Sequence, residues 1–269
     1  FSGDVFSMYR AAALYPRGGN FRPFQGGTMS LFTIADLHLS EGADHPMDVF
    51  GARWENYTEK ICKNWRAVVR DEDTVVIPGD ISWGMTLAGA KADFALLDSL
   101  PGKKLLGKGN HDFWWETAAK LGRFFTENNF STLSLLYNNA MAAEVFIVCG
   151  TRGWFMEEEK QNTVGEVDFA KIRNREAQRL EIGLRAAKKL SAEHPGKEIL
   201  VFLHFPPVFL GGVCREITDL LQAYGIRRCF YGHIHGMYRL PPTEVFEGVE
   251  YHLIAADYLN FVPKKIFPQ

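Results

Sequence analysis

Five short, mainly apolar runs in this chain end directly in side chains that can bind a metal ion. The run 31–35 is followed by Asp36-Leu37-His38, and 74–77 by Pro78-Gly79-Asp80. The run 103–106 leads into Gly107-Lys108-Gly109-Asn110-His111-Asp112. The run 199–203 ends at His204, and 228–231 ends at Gly232-His233-Ile234-His235. Runs of this length, bounded by Gly and Pro, read as buried strands. In open α/β sheets, ligands bind outside the carboxyl ends of the strands. A fold that gathers these strand ends at one edge would bring five of the eight histidines together.

Between these runs the apolar spacing turns helical. Trp54, Ile61, Cys62, Trp65, Val68 and Val69 give a helix over 54–69, and shorter ones are expected over 87–97, 114–125 and 216–224. The longest is expected over 167–190, with Ile172, Leu180, Leu184, Ala187 and Leu190 on its apolar side and Arg173, Arg175, Arg179, Glu181, Arg185 and Lys188 opposite. The runs 131–137 and 144–150 flank Asn138-Asn139 and read as a hairpin, and a last strand is expected over 251–255. There are no repeats and no Pro/Ser linker, so residues 29–269 are expected to form one layered α/β domain with buried sheets.

Residues 1–28 look different. They are glycine-rich and aperiodic, and 25–29 back-translate into a purine-rich ribosome-binding site just ahead of a start codon at Met29. They are expected to be a non-native or disordered leader. The competing expectation is a genuine extension that docks through Phe1, Phe6, Phe21 and Phe24.

Composition narrows the functional classes. Of the 269 residues, 46% are apolar, enough for a sizeable core. A net charge of −2 with no long basic strip argues against a nucleic-acid partner, and no run is long enough to span a membrane. Cys62, Cys149, Cys214 and Cys229 form no C-x-x-C pair and read as reduced thiols of a cytoplasmic protein.

Taken singly, the motifs say less. An Asp or His behind a strand is commonly a turn or a helix cap, and a lone His204 would read as a core histidine. Gly109 to Asp112 is less ordinary, since turn chemistry needs one polar group and three are present. His233 and His235, two apart in an extended segment, point to the same side. Carboxylate, amide and imidazole donors without thiolate suit Mn²⁺, Fe or Zn²⁺.

The ordered set Asp-x-His, Gly-Asp, Gly-Asn-His-Asp, His and Gly-His-x-His resembles the signature of the calcineurin-like metallophosphoesterase superfamily, and every element is present. Gly150 to Trp154, His204 to Pro207 and the Arg-rich helix around Arg175 further resemble a branch of bacterial phosphohydrolases. The resemblance implies two mixed β-sheets packed face to face and flanked by helices. It implies two divalent ions, one held by Asp36, His38, Asp80 and His235, the other by Asp80, Asn110, His204 and His233, with Asp80 bridging. It also implies hydrolysis of a phosphomonoester or phosphodiester by a metal-bridging hydroxide, with His111 binding the phosphate and protonating the leaving group. All seven ligands are expected at one rim.

Asp112 is read as the cap of a helix beginning near Phe113, the alternative being that it orients His111. Arg152, in a Gly-flanked loop, is a candidate for substrate phosphate. Trp83, Trp114, Trp115 and Trp154 can either stack on a base or sugar or pack the first turns of helices; packing is favoured for Trp115. His45, His194 and His252 belong to no motif. The partner expected is a small phosphate ester. The competing functions are a metal-dependent nuclease and a non-catalytic scaffold of the same fold.

Overall fold

The computed structural model describes residues 29–42, 47–154 and 168–269. The expectations for 1–28 and for His45 lie outside the described residues. In chain order the strands are β1 (Leu31–Thr33), β2 (Thr74–Ile77), β3 (Lys103–Leu106), β4 (Leu133–Leu135), β5 (Asn139–Ala143), β6 (Phe146–Thr151) and β7 (Glu198–Leu203). The small hairpin β8 (Val208–Phe209) and β9 (Gly212–Val213) follows, then β10 (Arg228–Tyr231), β11 (Glu244–Phe246), β12 (Val249–Leu253) and β13 (Lys264–Ile266). The helices are α1 (Tyr57–Val68), α2 (Lys91–Ser99), α3 (Ala118–Glu127), α4 (Phe169–Glu193) and α5 (Arg215–Ala223).

Two mixed sheets result. The first is ordered β13-β1-β2-β3-β4 and the second β11-β12-β10-β7-β6-β5. In the first, β1 to β4 run parallel and β13 antiparallel. In the second, β12, β10, β7 and β6 run parallel, with antiparallel strands at both edges. Each sheet therefore sends its parallel carboxyl ends toward one edge, as the strand-end motifs require.

The strands are apolar throughout because both faces are covered. On β2, Val76 faces the space between the sheets while Val75 and Ile77 face the helices. On β7, Leu200 and Phe202 face inward and Val201 and Leu203 face outward onto α4 and α5 residues such as Leu180, Leu184 and Ile217. Leu31, Leu105, Phe146, Val148 and Phe230 complete the layer between the sheets. The order of layers is helix, sheet, sheet, helix, the sandwich that the resemblance implies. At the rim Ala35 joins the two sheets: its N–H donates to the Ile254 carbonyl at 2.8 Å, and its carbonyl accepts the Ala256 N–H at 2.9 Å.

One expectation fails. The hairpin does not turn at Asn138-Asn139. β4 belongs to the first sheet, and β5 pairs with β6 in the second through a turn at Glu144-Val145. Asn138, in the left-handed region at φ 59°, is where the chain crosses between sheets, and its side chain accepts from Thr151 Oγ1 at 2.8 Å. A crossover and a tight turn need the same backbone conformation, so Asn marks both alike. No helix among the described residues is long and apolar enough to cross a membrane, and all four cysteines are free.

Candidate metal centre

The two sheets contribute different chemistry to the shared rim. From the first come Asp36 and His38 beyond β1, Asp80 beyond β2, and Asn110 with His111 beyond β3. From the second come His204 at the end of β7 and His233 with His235 beyond β10. Asp36, His38, Asp80 and His233 all have positive φ, between 46° and 68°. Non-glycine residues seldom hold that conformation unless the surroundings enforce it. Close packing does so here. A Cβ on Gly109 would overlap the Asp80 carboxylate, and one on Gly232 would overlap Asp36 Oδ2 and the Ala35 methyl. These glycines let the ligand loops touch.

The donors form two groups, Asp36 with His38 and His235, and Asp80 with His204 and His233, each with ligand atoms within 4.8 Å of one another. Asn110 Oδ1 joins the second group, 2.7 Å from His204 Nε2 and 3.0 Å from His233 Nδ1. Asp80 Oδ2 stands between the groups, 3.7 Å from His38 Nε2 and 3.5 Å from His204 Nε2. His38 Nε2 faces His235 Nε2 at 3.2 Å. All seven candidate ligands of the sequence are brought together.

Burial dominates the electrostatics of both groups. Asp36, His38, Asp80 and His204 are buried. Burial pushes Asp36 up to about 7, opposed by the charge of His235 and the N–H of His233. Burial, then the charges of Asp112 and Asp36, raises Asp80 well above the carboxylate range. Burial and the neighbouring imidazoles pull His38 and His204 well down, and His233 down to about 3. Acids that resist ionising and imidazoles that resist protonation are both consequences of burial; a bound cation would let the acids ionise and would take the lone pairs that the imidazoles keep. His204 Nδ1 is a buried nitrogen without a hydrogen bond. Hard oxygen and imidazole donors, buried and converging on two spots, fit a pair of divalent ions.

His111 belongs to neither group. Its N–H donates to Asp80 Oδ1 at 2.8 Å, and its half-buried ring lies against Trp83 at 4.6 Å and His38 at 5.6 Å. Burial and the charge of His235 lower its pKa. Trp83 also stacks on His38 at 5.0 Å, so it walls this end of the site. Trp114 is buried against Phe94, while half-buried Trp115 packs on Trp114 and Tyr137. Trp154 packs on Phe205.

Asp112 caps no helix. α3 begins only at Ala118, where Thr117 Oγ1 accepts from Lys120 N–H. Asp112 is buried and accepts from the N–H groups of Gly109, Asp80 and Ile81 at 2.7–2.9 Å, and from Trp114 Nε1 at 3.1 Å. It clamps the Asp80 loop to the Asn110 loop, a tertiary role whose local sequence matches a cap. Asp257 is a second residue that the motifs do not reveal. Its Oδ1 is 2.9 Å from His235 Nδ1, and its Oδ2 accepts from Gly236 N–H at 3.0 Å. The pair fixes the imidazole with Nε2 facing the site. Burial lowers the His235 pKa, but Asp257 and Asp36 outweigh it and hold it raised. Asp257 comes two positions after the expected strand 251–255, so a search just beyond that strand end would have found it. Arg152 is placed beside the site: its carbonyl accepts the N–H groups of His204 and Phe205, each at 3.0 Å.

Fold and donor set define a metal-dependent phosphoesterase. The sequence model of the calcineurin-like phosphoesterases matches residues 29–237, and the chain belongs to that family. No curated protein matches it. Among solved structures, TT1561 of Thermus thermophilus is similar at 12% identity, covering 89% of this chain and 99% of that one, with a TM-score of 0.53. The protein of unknown function AQ665 from Aquifex aeolicus shares 13% identity over 88% of this chain and 95% of that one, with a TM-score of 0.45. Asp257 lies beyond the matched family segment.

Proposed function

We propose that the protein hydrolyses a small phosphomonoester or phosphodiester at a dinuclear centre. Asp36, His38, Asp80 and His235 would hold one ion, and Asp80, Asn110, His204 and His233 the other. The observation that supports this reading most is the position of Asp80 between two donor groups, since one carboxylate has oxygens for two cations. When bound, the ions supply positive charge that polarises the phosphoryl oxygens and acidifies the attacking water.

The chain's own groups do the rest. His111 stands outside both donor groups, free to hydrogen-bond the phosphate and to pass a proton to the departing oxygen. Phosphate charge beside His111 favours the imidazolium that burial disfavours. Trp83 holds the rings of His111 and His38 in place and covers that side of the site. Asp112 keeps the Asp80 and Asn110 loops in register. A complete donor set together with His111 favours an enzyme over a scaffold of the same fold.

The test is direct. Protein stripped by chelator should be inert toward nitrophenyl phosphate and bis-nitrophenyl phosphate, and Mn²⁺ should restore turnover of at least one. Protein that binds no divalent ion and stays inert with every metal would contradict the proposal.

A further inference from the structure

Next to the metal centre lies a cationic cluster that the hydrolytic chemistry does not use. Glu176, on α4, is fully buried. Its Oε1 accepts from Arg152 Nη2 at 3.4 Å and from Arg179 Nη1 at 2.5 Å. Its Oε2 has a 3.5 Å contact with Thr151 Oγ1. Lys108, two positions before Asn110, is half-buried in the same neighbourhood, and its charge interacts with Arg152, Asp112, Arg179 and Glu176. Tyr137 is coupled to the same charges and to Arg175. Docking a helix needs one cation for one buried carboxylate. Here, among the described residues, two guanidinium groups share the one Glu176 carboxylate with Lys108 near them, in a chain whose net charge is −2.

The cluster is tied to the ligands of the second group. Lys108 precedes Asn110 by two positions, and Arg152 holds the His204 backbone through its carbonyl. Phe205 is the shared wall. Its ring lies 4.6 Å from that of His233 and 5.0 Å from that of His204, and the Arg152 guanidinium lies 5.8 Å from its centre. An anion held by the arginines would therefore sit about one aromatic ring away from a phosphate at the metal centre. The Arg152 Nε–H is buried and has no hydrogen-bond partner.

We propose that Lys108, Arg152 and Arg179, arranged around buried Glu176, form a second anion subsite, and that the substrate is a phosphate ester carrying a further phosphate or carboxylate. Glu176 fixes the two guanidinium groups in advance, so little side-chain entropy is lost on binding. The proposal rests on the phosphoesterase reading above, because the first anion is taken to be the phosphate at the metal centre.

Calorimetry on the Mn²⁺-loaded protein separates the two ideas. The probes are alkylphosphonates, α,ω-alkanediphosphonates and ω-carboxyalkylphosphonates, each over a series of chain lengths. At one length a two-anion probe should bind roughly tenfold more tightly than the matching alkylphosphonate, the gain from one added charge-assisted contact. A diphosphonate advantage identifies a second phosphate, a carboxyalkyl advantage a carboxylate, and either supports the subsite. Arg179→Met should reduce the advantage to about the twofold statistical factor of a symmetric probe. Lys108→Met, which removes no hydrogen bond to Glu176, should reduce it severalfold and stands in if Arg179→Met does not fold. Alkylphosphonate binding with no two-anion advantage, or an advantage that survives the substitutions, overturns the subsite and leaves the metal centre standing. Failure of every phosphonate to bind overturns both.

Discussion

The two sheets meet at one rim but equip it differently. The first supplies both carboxylates of the donor groups, the imidazole of His38, the amide of Asn110 and, outside both groups, the imidazole of His111. Three of its candidate ligands, Asp36, His38 and Asp80, hold left-handed backbone. The second supplies three imidazoles, two of them from the Gly-His-x-His motif, which is not extended as the spacing suggested: His233 has φ 68°, and the two imidazoles enter different donor groups. Charge and strain are thus concentrated on the first sheet, and neutral donors on the second. Each donor group draws on both sheets, so neither sheet alone makes a site. The division also says which substitutions should matter most.

The largest effect should come from Asp80→Asn. Asn tolerates positive φ, so the substitution tests charge without disturbing the loop. Metal content should fall at both sites and turnover should drop by more than about 10³-fold, with metal analysis and kcat measured on the same sample. His204→Ala, on the neutral side, should deplete mainly one ion. Equal depletion of both ions in the two variants would erase the contrast between the sheets.

His111→Ala should keep its metal and lose about 10²–10⁴-fold in kcat, more for alkyl phosphates than for activated aryl phosphates. Similar losses for both would remove His111 from the proton-transfer role and leave it as a phosphate binder. On the second sheet, Asp257→Asn should weaken metal affinity by about 10–100-fold, read by titration with chelator-buffered Mn²⁺. It tests whether that sheet's imidazoles depend on a carboxylate behind them, as the first sheet's ligands depend on the Asp112 clamp.

The smallest effect on activity should come from Lys104 on β3, inside the first sheet and away from the rim. Its ammonium is fully buried, donating to the Leu100 carbonyl and to Thr132 Oγ1. Burial pushes its pKa down to about 8 despite Asp98 and Asp71. Between about pH 8 and the unfolded value near 10.4 the unfolded chain binds the extra proton, so stability rises with pH across that window. Relative to Lys104→Met, the native protein should gain about 2–3 kcal/mol in urea unfolding between pH 7.5 and 10. A flat difference would show that Lys104 is neutral or well solvated in the folded state.

Much of the site was legible because each ligand motif directly follows an apolar run, and parallel strands align those ends. The division into two sheets was not written in any run and reached the sequence reading only through the family resemblance; the strand order is visible only in the structure. Asn138 misled because a crossover and a hairpin turn ask the same backbone of an asparagine. Asp112 misled because a carboxylate ahead of an aromatic-rich segment looks like a cap, whereas its partners lie some thirty residues back in the Asp80 loop. Glu176 did leave a trace. It falls on the i, i+3/i+4 stripe with Leu180, Leu184 and Ala187, and a charge on a buried stripe implies a buried partner.

In the proposed centre Asp80 joins two ions held jointly by the two sheets. Low-temperature EPR of the Mn²⁺-titrated protein tests it most directly. Two Mn²⁺ per chain are expected, with an exchange-coupled spectrum that collapses in Asp80→Asn. A single ion per chain, or two that give only the spectrum of isolated Mn²⁺, would contradict it.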